Sequence, residues 1–266
     1  MYDVKEGVVL FLDGNHAAAA EHFYEGATLG DAEAAFNYGY MLMKGIGVEK
    51  DPAAAKSFYS FAVNQVGEAA YNLAVMYLHG DGTKRDYRRC VEYMTDAADM
   101  GIIEAQLYLG VAYTLGSLFE PDIIAISRIP YHTPEFRDPF ALLDGDVPDM
   151  EEDEEKRIRA IHFDPRTAFE YFRLAARHDG DYVEDLARKG KYLYARCFLD
   201  GLGTDFNRDR ANNLMLVAAA DGSPEAMAYL TTDAPYMLTA LEGIEGVENI
   251  RRIERLGGGR AEEGDV

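Results

Sequence analysis

The chain has 266 residues, a formal net charge of −21, and 48% hydrophobic residues. This length suits one or two globular domains, and the acidic excess disfavours nucleic acid and anionic membranes as partners. No apolar stretch approaches the roughly 18 residues that a membrane span requires, and two cysteines are too few for a disulfide framework.

The first predicted element is a helical hairpin formed by residues 4–13 and 15–30. Its apolar content includes Val8, Phe11 and Phe23. The hairpin has only Asp13-Gly14 where later hairpins carry a pair of glycines, so we expect it to serve also as an end cap.

A motif of about 35 residues then recurs, which is a period typical of stacked helical pairs. It reads EAAFNYGYMLMKGIGV from Glu33, EAAYNLAVMYLHGDGT from Glu68 and EAQLYLGVAYTLG from Glu104. The sequence therefore predicts regular hairpins over residues 32–101 and the first helix of a fourth hairpin over 104–116.

The second helix of each unit opens with Asp or Asn, whose side chain can accept from the free amides of a first helical turn. Small residues follow four, eleven and twelve positions later, on one face of a helix, and predict a seam of close packing. The predicted caps are Asn15, Asp51, Asp86, Asp164 and Asn207. Each run ends near a glycine that suits a left-handed cap, at Gly30, Gly67, Gly101, Gly180 and Gly222.

Residues 117–163 interrupt the pattern with five prolines, which are incompatible with one long helix. Residues 117–164 also hold 13 acidic and five basic residues. We expect an ordered insertion that packs against the array, since loops of this length are usually functional or disordered. The acidic run favours either the solvated start of a charged helix or a docking face for a basic partner.

The array resumes at Asp164, and residues 166–178 complete the interrupted hairpin. A smaller insertion, Asp181 to Arg188, precedes a fifth hairpin over 189–222. Residues 225–256 are expected to form a capping helix pair. Residues 257–266 begin with three glycines and are predicted to be a flexible tail.

These units resemble the Sel-1-like repeat family, a relative of the tetratricopeptide arrays, whose units read AEAxxxLGxxYxxGxGVxxDxxKAxxxxxxAAxxG. Residues 33–67 and 68–101 match along nearly their whole length, and the other units match in part. The resemblance implies an all-α fold, a right-handed superhelix of about five hairpins with capping helices, as a single solenoid over residues 1–256. It also implies a scaffold or adaptor for protein complexes.

The sequence offers no catalytic, cofactor or metal constellation. The histidines show no pair at ligand spacing, no serine precedes a lysine by three positions, and the Gly-x-Gly turns connect two helices. Asp144, Asp146 and Glu155 match three positions of a calcium loop, but Pro148 and Asp149 occupy positions where its geometry is strict.

The compartment is predicted to be reducing. Cys90 occupies the slot that alanine fills in the other units, and Cys197 aligns with Met41 and Met76, so both are expected in the core. Asp3 and Glu6 replace the basic lead of a secretion signal, which predicts a cytoplasmic protein. A protein that had lost its signal would have the same sequence, so secretion stays open.

The candidate partner-binding residues lie on the first helices, which line the concave face in stacked helical pairs. They are Asn37, Asn72 and Tyr108 at one repeat position, Tyr40 and Arg196 at a second, and Lys44 and His79 at a third, where Asp200 aligns with them. An asparagine amide can hold an extended peptide by donating and accepting. The alternative is that Asn37 and Asn72 bond neighbouring backbone and that Tyr38, Tyr77 and Tyr113 serve packing.

Three functions follow from these observations. The leading hypothesis is a non-enzymatic scaffold whose concave groove holds a protein or peptide partner. The second is a self-associating structural or regulatory module whose insertion occupies the groove. The third is an enzyme that uses carboxylates of the insertion, such as Asp144 and Glu151. The oligomeric state stays open.

Overall fold

The computed structural model describes residues 2–116, 118, 160–178 and 184–235. All regular structure in these ranges is helical, which confirms the predicted all-α fold. The chain divides into two compact units, residues 1–163 and 164–266.

The described part of the first unit contains seven helices, and each packs against the helix before and after it in the chain. They are α1 (Val4–Leu12), α2 (His16–Thr28), α3 (Ala32–Lys44), α4 (Pro52–Ala62), α5 (Gly67–His79), α6 (Tyr87–Asp99) and α7 (Ile103–Leu115). The predicted helical pairs of residues 4–101 are therefore confirmed.

The described part of the second unit contains four helices, which also pack in chain order. They are α8 (Pro165–Ala175), α9 (Glu184–Asp200), α10 (Arg208–Ala220) and α11 (Pro224–Thr232). In both units, the described helices lack the length and apolar character needed to cross a membrane.

Four of the five predicted N-caps are formed. The side-chain oxygens of Asp51, Asp86, Asp164 and Asn207 each accept from the amide three residues later, at 2.9–3.2 Å. The prediction was wrong for Asn15, which makes no such bond. Its ψ of 60° lies well below the 88–96° of the four capping residues, so its side chain is not presented in the same way.

The predicted seam of small residues is buried at two of its three positions, and at the third, twelve residues after the caps, Ala98 and Ala219 are buried while Ala27, Val63 and Ala176 are half-buried. The residues four positions after the caps are all 0% exposed: Ala19, Ala55, Cys90, Ala168 and Ala211. The residues eleven positions after the caps are buried too: Gly26, Ala62, Ala97, Ala175 and Ala218. Adding methylene groups at such a seam costs about 1–3 kcal/mol, because the helices must separate.

Glycines end the first helices. Gly45 and Gly80 adopt left-handed conformations and donate their amides to the carbonyls of Met41 and Met76, both at 2.8 Å. The predicted cap at Gly67 was wrong, because Gly67 begins α5 instead of ending α4. A Cβ on Gly67 would lie 2.9 Å from Ile102 Cγ1, so close packing accounts for this glycine.

The predicted insertion at Asp181 to Arg188 needs correction, because α9 already begins at Glu184. Its Gly190 lies against α8, where a Cβ would be 2.8 Å from the Ala175 carbonyl carbon.

In the larger insertion, Leu118 and Ile161 are buried. The rest of that insertion up to residue 159, the predicted capping helices beyond residue 235 and the tail lie outside the described residues.

Candidate functional site

The candidate residues of the first helices differ in accessibility. Four are buried: Asn37, Tyr40, Asn72 and Tyr108. His79 is half-buried, and Lys44 and Arg196 are exposed. Six of the seven lie on α3, α5 and α7 of the first unit, and Arg196 lies on α9 of the second. Direct contact with a partner is therefore open to Lys44, His79 and Arg196 more than to the other four.

Asn72 is held by a neighbouring helix. Its side chain hydrogen-bonds the hydroxyl of Tyr59 on α4. Burial raises the pKa of Tyr59 well above its usual range, and the bond to Asn72 offsets part of that shift. This contact supports the packing alternative for Asn72, with a side chain instead of backbone as its partner.

Asn37 occupies the same repeat position but lacks that bond: among the described residues, no donor reaches its buried Oδ1. The position equivalent to Tyr59, eight residues after the N-cap, is Phe23 on α2. Both rings pack on a glycine of their own first helix, Phe23 on Gly7 and Tyr59 on Gly39. Phe23 has no phenolic hydroxyl, so the partner that Asn72 finds at this repeat position is absent for Asn37.

An aromatic cluster joins α2, α3 and α4. The Tyr38 and Phe58 ring centroids are 4.8 Å apart in an edge-to-face contact, and those of Tyr24 and Tyr38 are 5.2 Å apart. Tyr24 is 49% exposed, while Tyr38 and Phe58 are half-buried. We call Tyr24, Tyr38 and Phe58 the aromatic cluster.

A second cluster combines aromatic rings with cations on α4, α5 and α6. Tyr77 and Tyr93 are stacked with ring centroids 5.7 Å apart. Lys56 Nζ and the Arg89 guanidinium lie 5.4 and 5.3 Å from the Tyr77 ring centroid, and Arg89 Nη1 donates to the Tyr77 hydroxyl at 2.8 Å. We call Lys56, Tyr77, Arg89 and Tyr93 the cationic cluster.

The sequence prediction considered only the first helices and missed the side chains that the second helices contribute to these clusters. Phe58 and Tyr93 both lie seven residues after their caps, where the other second helices carry His22, Tyr171 and Leu214. This recurrence of rings at one repeat position is a signal that alignment of the second helices could have found.

A cavity of about 400 Å³ lies in the second unit. Arg196 lines it together with other residues from α9, α11 and the segment that leads into α10. Arg196 Nη2 lies 3.1 Å from Asp200 Oδ2, and its guanidinium lies 5.9 Å from the Tyr192 ring centroid. Of the predicted residues, Arg196 is therefore placed beside a concave surface.

Both cysteines of the chain lie in the interior. Cys90 and Cys197 are both free and buried, and burial raises the pKa of each thiol to about 12. The described residues include no group of three or more His, Cys, Asp or Glu side chains placed to hold a metal ion. The calcium-like residues 144–155 lie outside the described ranges.

Helical pairs with a buried alanine seam and repeated Gly-x-Gly turns define an α-helical repeat protein. The sequence matches the Sel1 repeat at residues 32–65, 67–102, 103–124, 159–180 and 189–223, which is more than half of the chain. The chain belongs to the Sel1 repeat family. Proteins of this family generally mediate protein–protein interaction.

Two solved structures are similar to this chain. One is a Sel1 repeat protein from Oxalobacter formigenes, with 18% identity, coverage of 99% of this chain and 86% of that chain, and a TM-score of 0.65. The other is c5321, a protective antigen present in uropathogenic Escherichia coli strains displaying an SLR fold. It has 21% identity, coverage of 97% and 54%, and a TM-score of 0.42. The first similarity supports the fold. The comparison with curated proteins gave no match.

Proposed function

We propose that the protein is a non-enzymatic scaffold that binds a partner protein or peptide through the helical pairs of its first unit. The contact surface comprises the aromatic cluster, the cationic cluster without its buried Tyr77, Lys44 and His79. Family membership supports the general role, and the two clusters support the location.

The observation that carries the proposal is the accessible aromatic and cationic side chains on a protein of net charge −21. Interface cores are enriched in Tyr, Phe and Arg, and the few residues that dominate binding are most often Trp, Tyr and Arg. Tyr24 is 49% exposed although it contacts two other rings. Arg89 has 55% of its side chain exposed. Both can therefore contact a partner without leaving their packed positions.

A quantitative affinity purification tests this proposal. Tagged wild-type protein and the double variant Tyr24→Ala/Arg89→Ala are recovered from the native lysate, and bound proteins are compared by mass spectrometry. The loss of two such contacts predicts at least about a tenfold drop in partner recovery, since 1.4 kcal/mol corresponds to a factor of ten.

The matched control is Phe163→Ala, which removes a ring that is 61% exposed and has no part in either cluster. It should retain the partner, and circular dichroism should show equal helicity for all variants. Undiminished recovery with the double variant contradicts the proposed surface. Loss with Phe163→Ala alone moves the site to the flank of the insertion.

A further inference from the structure

The cavity of the second unit has an aromatic side. It opens between the last turn of α9, the segment before α10, and α11, and Phe206 and Tyr229 are among its lining residues. The Tyr229 hydroxyl donates to Asn212 Oδ1 at 2.8 Å, which fixes the ring. Phe206 is 66% exposed. The volume of the cavity, about 400 Å³, lies within the range of ligand sites. Its lining combines Leu199, Phe206 and Tyr229 with four charged residues, Arg196, Asp200, Arg208 and Asp233.

Arg208 is the distinctive charged group of this cavity. Its Nη2 donates to the backbone carbonyl oxygen of Asp233 at 3.3 Å, and no carboxylate of the described residues lies within ion-pair distance of it. The other lining arginine, Arg196, is already paired with Asp200. A guanidinium has five N–H donors, so most of the hydrogen-bonding capacity of Arg208 remains available.

The neighbouring Lys and Arg side chains have partners that Arg208 lacks. Between residues 184 and 235, four Lys or Arg side chains pair with carboxylates: Arg188, Lys189, Lys191 and Arg196. Arg210 lies 4.4 Å from the centroid of the Phe198 ring. Arg208 has neither kind of partner among the described residues, although it lines a cavity.

The second unit repels an anion less than the first unit does. Residues 164–266 hold nineteen acidic and thirteen basic residues, a net charge of −6. Residues 1–163 hold twenty-eight acidic and thirteen basic residues, a net charge of −15. Long-range repulsion of an acidic ligand is therefore weaker at the second unit.

We propose that this cavity binds a single carboxylate of a peptide, with Arg208 as its main donor and Phe206 and Tyr229 in contact with an adjacent apolar residue. The carboxylate belongs either to an acidic side chain or to a chain terminus. Asp233 also lines the cavity. Because it repels a second negative charge, it favours a monoanion over a phosphate dianion. The inference rests on the proposed function in that the ligand is part of a partner polypeptide.

Fluorescence anisotropy with short peptides and the full chain tests this inference. Three rhodamine-labelled peptides, Gly-Gly-Phe-X-Phe-Gly-Gly-amide, carry Glu, Gln or Lys at X. A fourth ends in a phenylalanine with a free carboxylate. We expect the Glu peptide, the free-carboxylate peptide, or both to bind at least about tenfold more tightly than the Gln peptide, since charge-assisted hydrogen bonds are roughly twice as strong as neutral ones.

Arg208→Gln should reduce the affinity for the carboxylate peptides to that for the Gln peptide, while the Gln peptide binds as before. Arg210→Gln is the matched control on the same helix, outside the cavity lining, and should leave all affinities unchanged. Unchanged binding of the Gln peptide shows that Arg208→Gln leaves the cavity folded.

Tightest binding of the Lys peptide, equal binding of all peptides, or no binding at about 1 mM overturns the inference. This assay needs no cellular partner, so its failure is distinct from failure of the affinity purification. Peptide binding without partner loss on Tyr24→Ala/Arg89→Ala overturns only the proposed surface of the first unit. Loss of the partner in the double variant, with no peptide binding to the wild type, overturns only the carboxylate site.

Discussion

Replacement of Gly82 by alanine tests how successive helical pairs pack. Gly82 is the second glycine of the turn between α5 and α6, with a φ of +62°. A Cβ there would lie 2.7 Å from the Ala53 amide nitrogen and closer still to the Pro52 carbonyl. The equivalent glycines also meet backbone, Gly47 at His16 and Gly203 at Pro165. The turn of one hairpin therefore packs directly on the second helix of the preceding hairpin.

The magnitude follows from two costs. Left-handed alanine costs about 1–2 kcal/mol, and displacement of the first turn of α4 adds about 1–3 kcal/mol, as overpacking does. Reduced freedom of the unfolded chain returns about 0.4–1 kcal/mol. Gly101→Ala is the control, because Gly101 has a φ of +90° and no atom within 4 Å of the added Cβ. Only the conformational cost and the unfolded-state gain apply there.

Urea unfolding followed by circular dichroism, together with hydrogen exchange, measures both effects. We expect the urea midpoint to fall at least about twice as far for Gly82→Ala as for Gly101→Ala, since the midpoint shift tracks the change in stability. Exchange should also quicken at the start of α4, one hairpin away. Equal midpoint shifts, or faster exchange confined to residues 80–86, would refute the packing argument.

Three further predictions concern buried and half-buried side chains. Phe23→Tyr should stabilise the protein by about 0.5–1.5 kcal/mol by supplying a donor to Asn37 Oδ1; thermal unfolding measures the gain, and its persistence in an Asn37→Ala background would contradict the assignment. Cys90 and Cys197, with pKa values raised to about 12, should resist a thiol-specific disulfide reagent at pH 8 and react only on unfolding; rapid reaction of the native chain would contradict their burial. Burial would raise the pKa of Glu225, but its backbone hydrogen bond and Lys189 lower it overall, so Glu225 stabilises the folded chain above its unfolded pKa of about 4.3 and less as the pH falls through its folded value. The difference in urea midpoint between wild type and Glu225→Gln should therefore shrink from pH 7 to pH 3, and a constant difference would argue against this role.

The sequence predicted the fold where local chemistry and repeat spacing agree. Asp51 and Asp86 cap helices because their side chains act within one turn. The five small residues at offset four are buried because each copy of the repeat repeats the same packing. Tertiary contacts decide the exceptions. Gly67 is a packing glycine against Ile102, and the start of α9 at Glu184 extends a helix into a segment that sequence spacing assigned to an insertion.

The sequence predicted less of the candidate site than of the fold. Spacing placed Asn37 and Asn72 on the first helices but did not predict their burial, because burial depends on how neighbouring helices pack. The meeting of Tyr24 with Phe58 joins two hairpins, with ring centroids 6.4 Å apart. Arg208 lacks a carboxylate partner among the described residues because of how the helices around it pack, which sequence spacing does not predict. These features belong to three-dimensional contacts that one sequence does not encode locally.

Site-specific photo-crosslinking tests most directly whether the first unit binds a partner through its aromatic cluster. Benzoylphenylalanine is introduced at position 24, or at position 217, where Val217 is 52% exposed on α10. The account predicts that irradiation in the native lysate links a discrete partner at position 24 and not at position 217. Crosslinks at position 217 alone, or none at position 24, would contradict it.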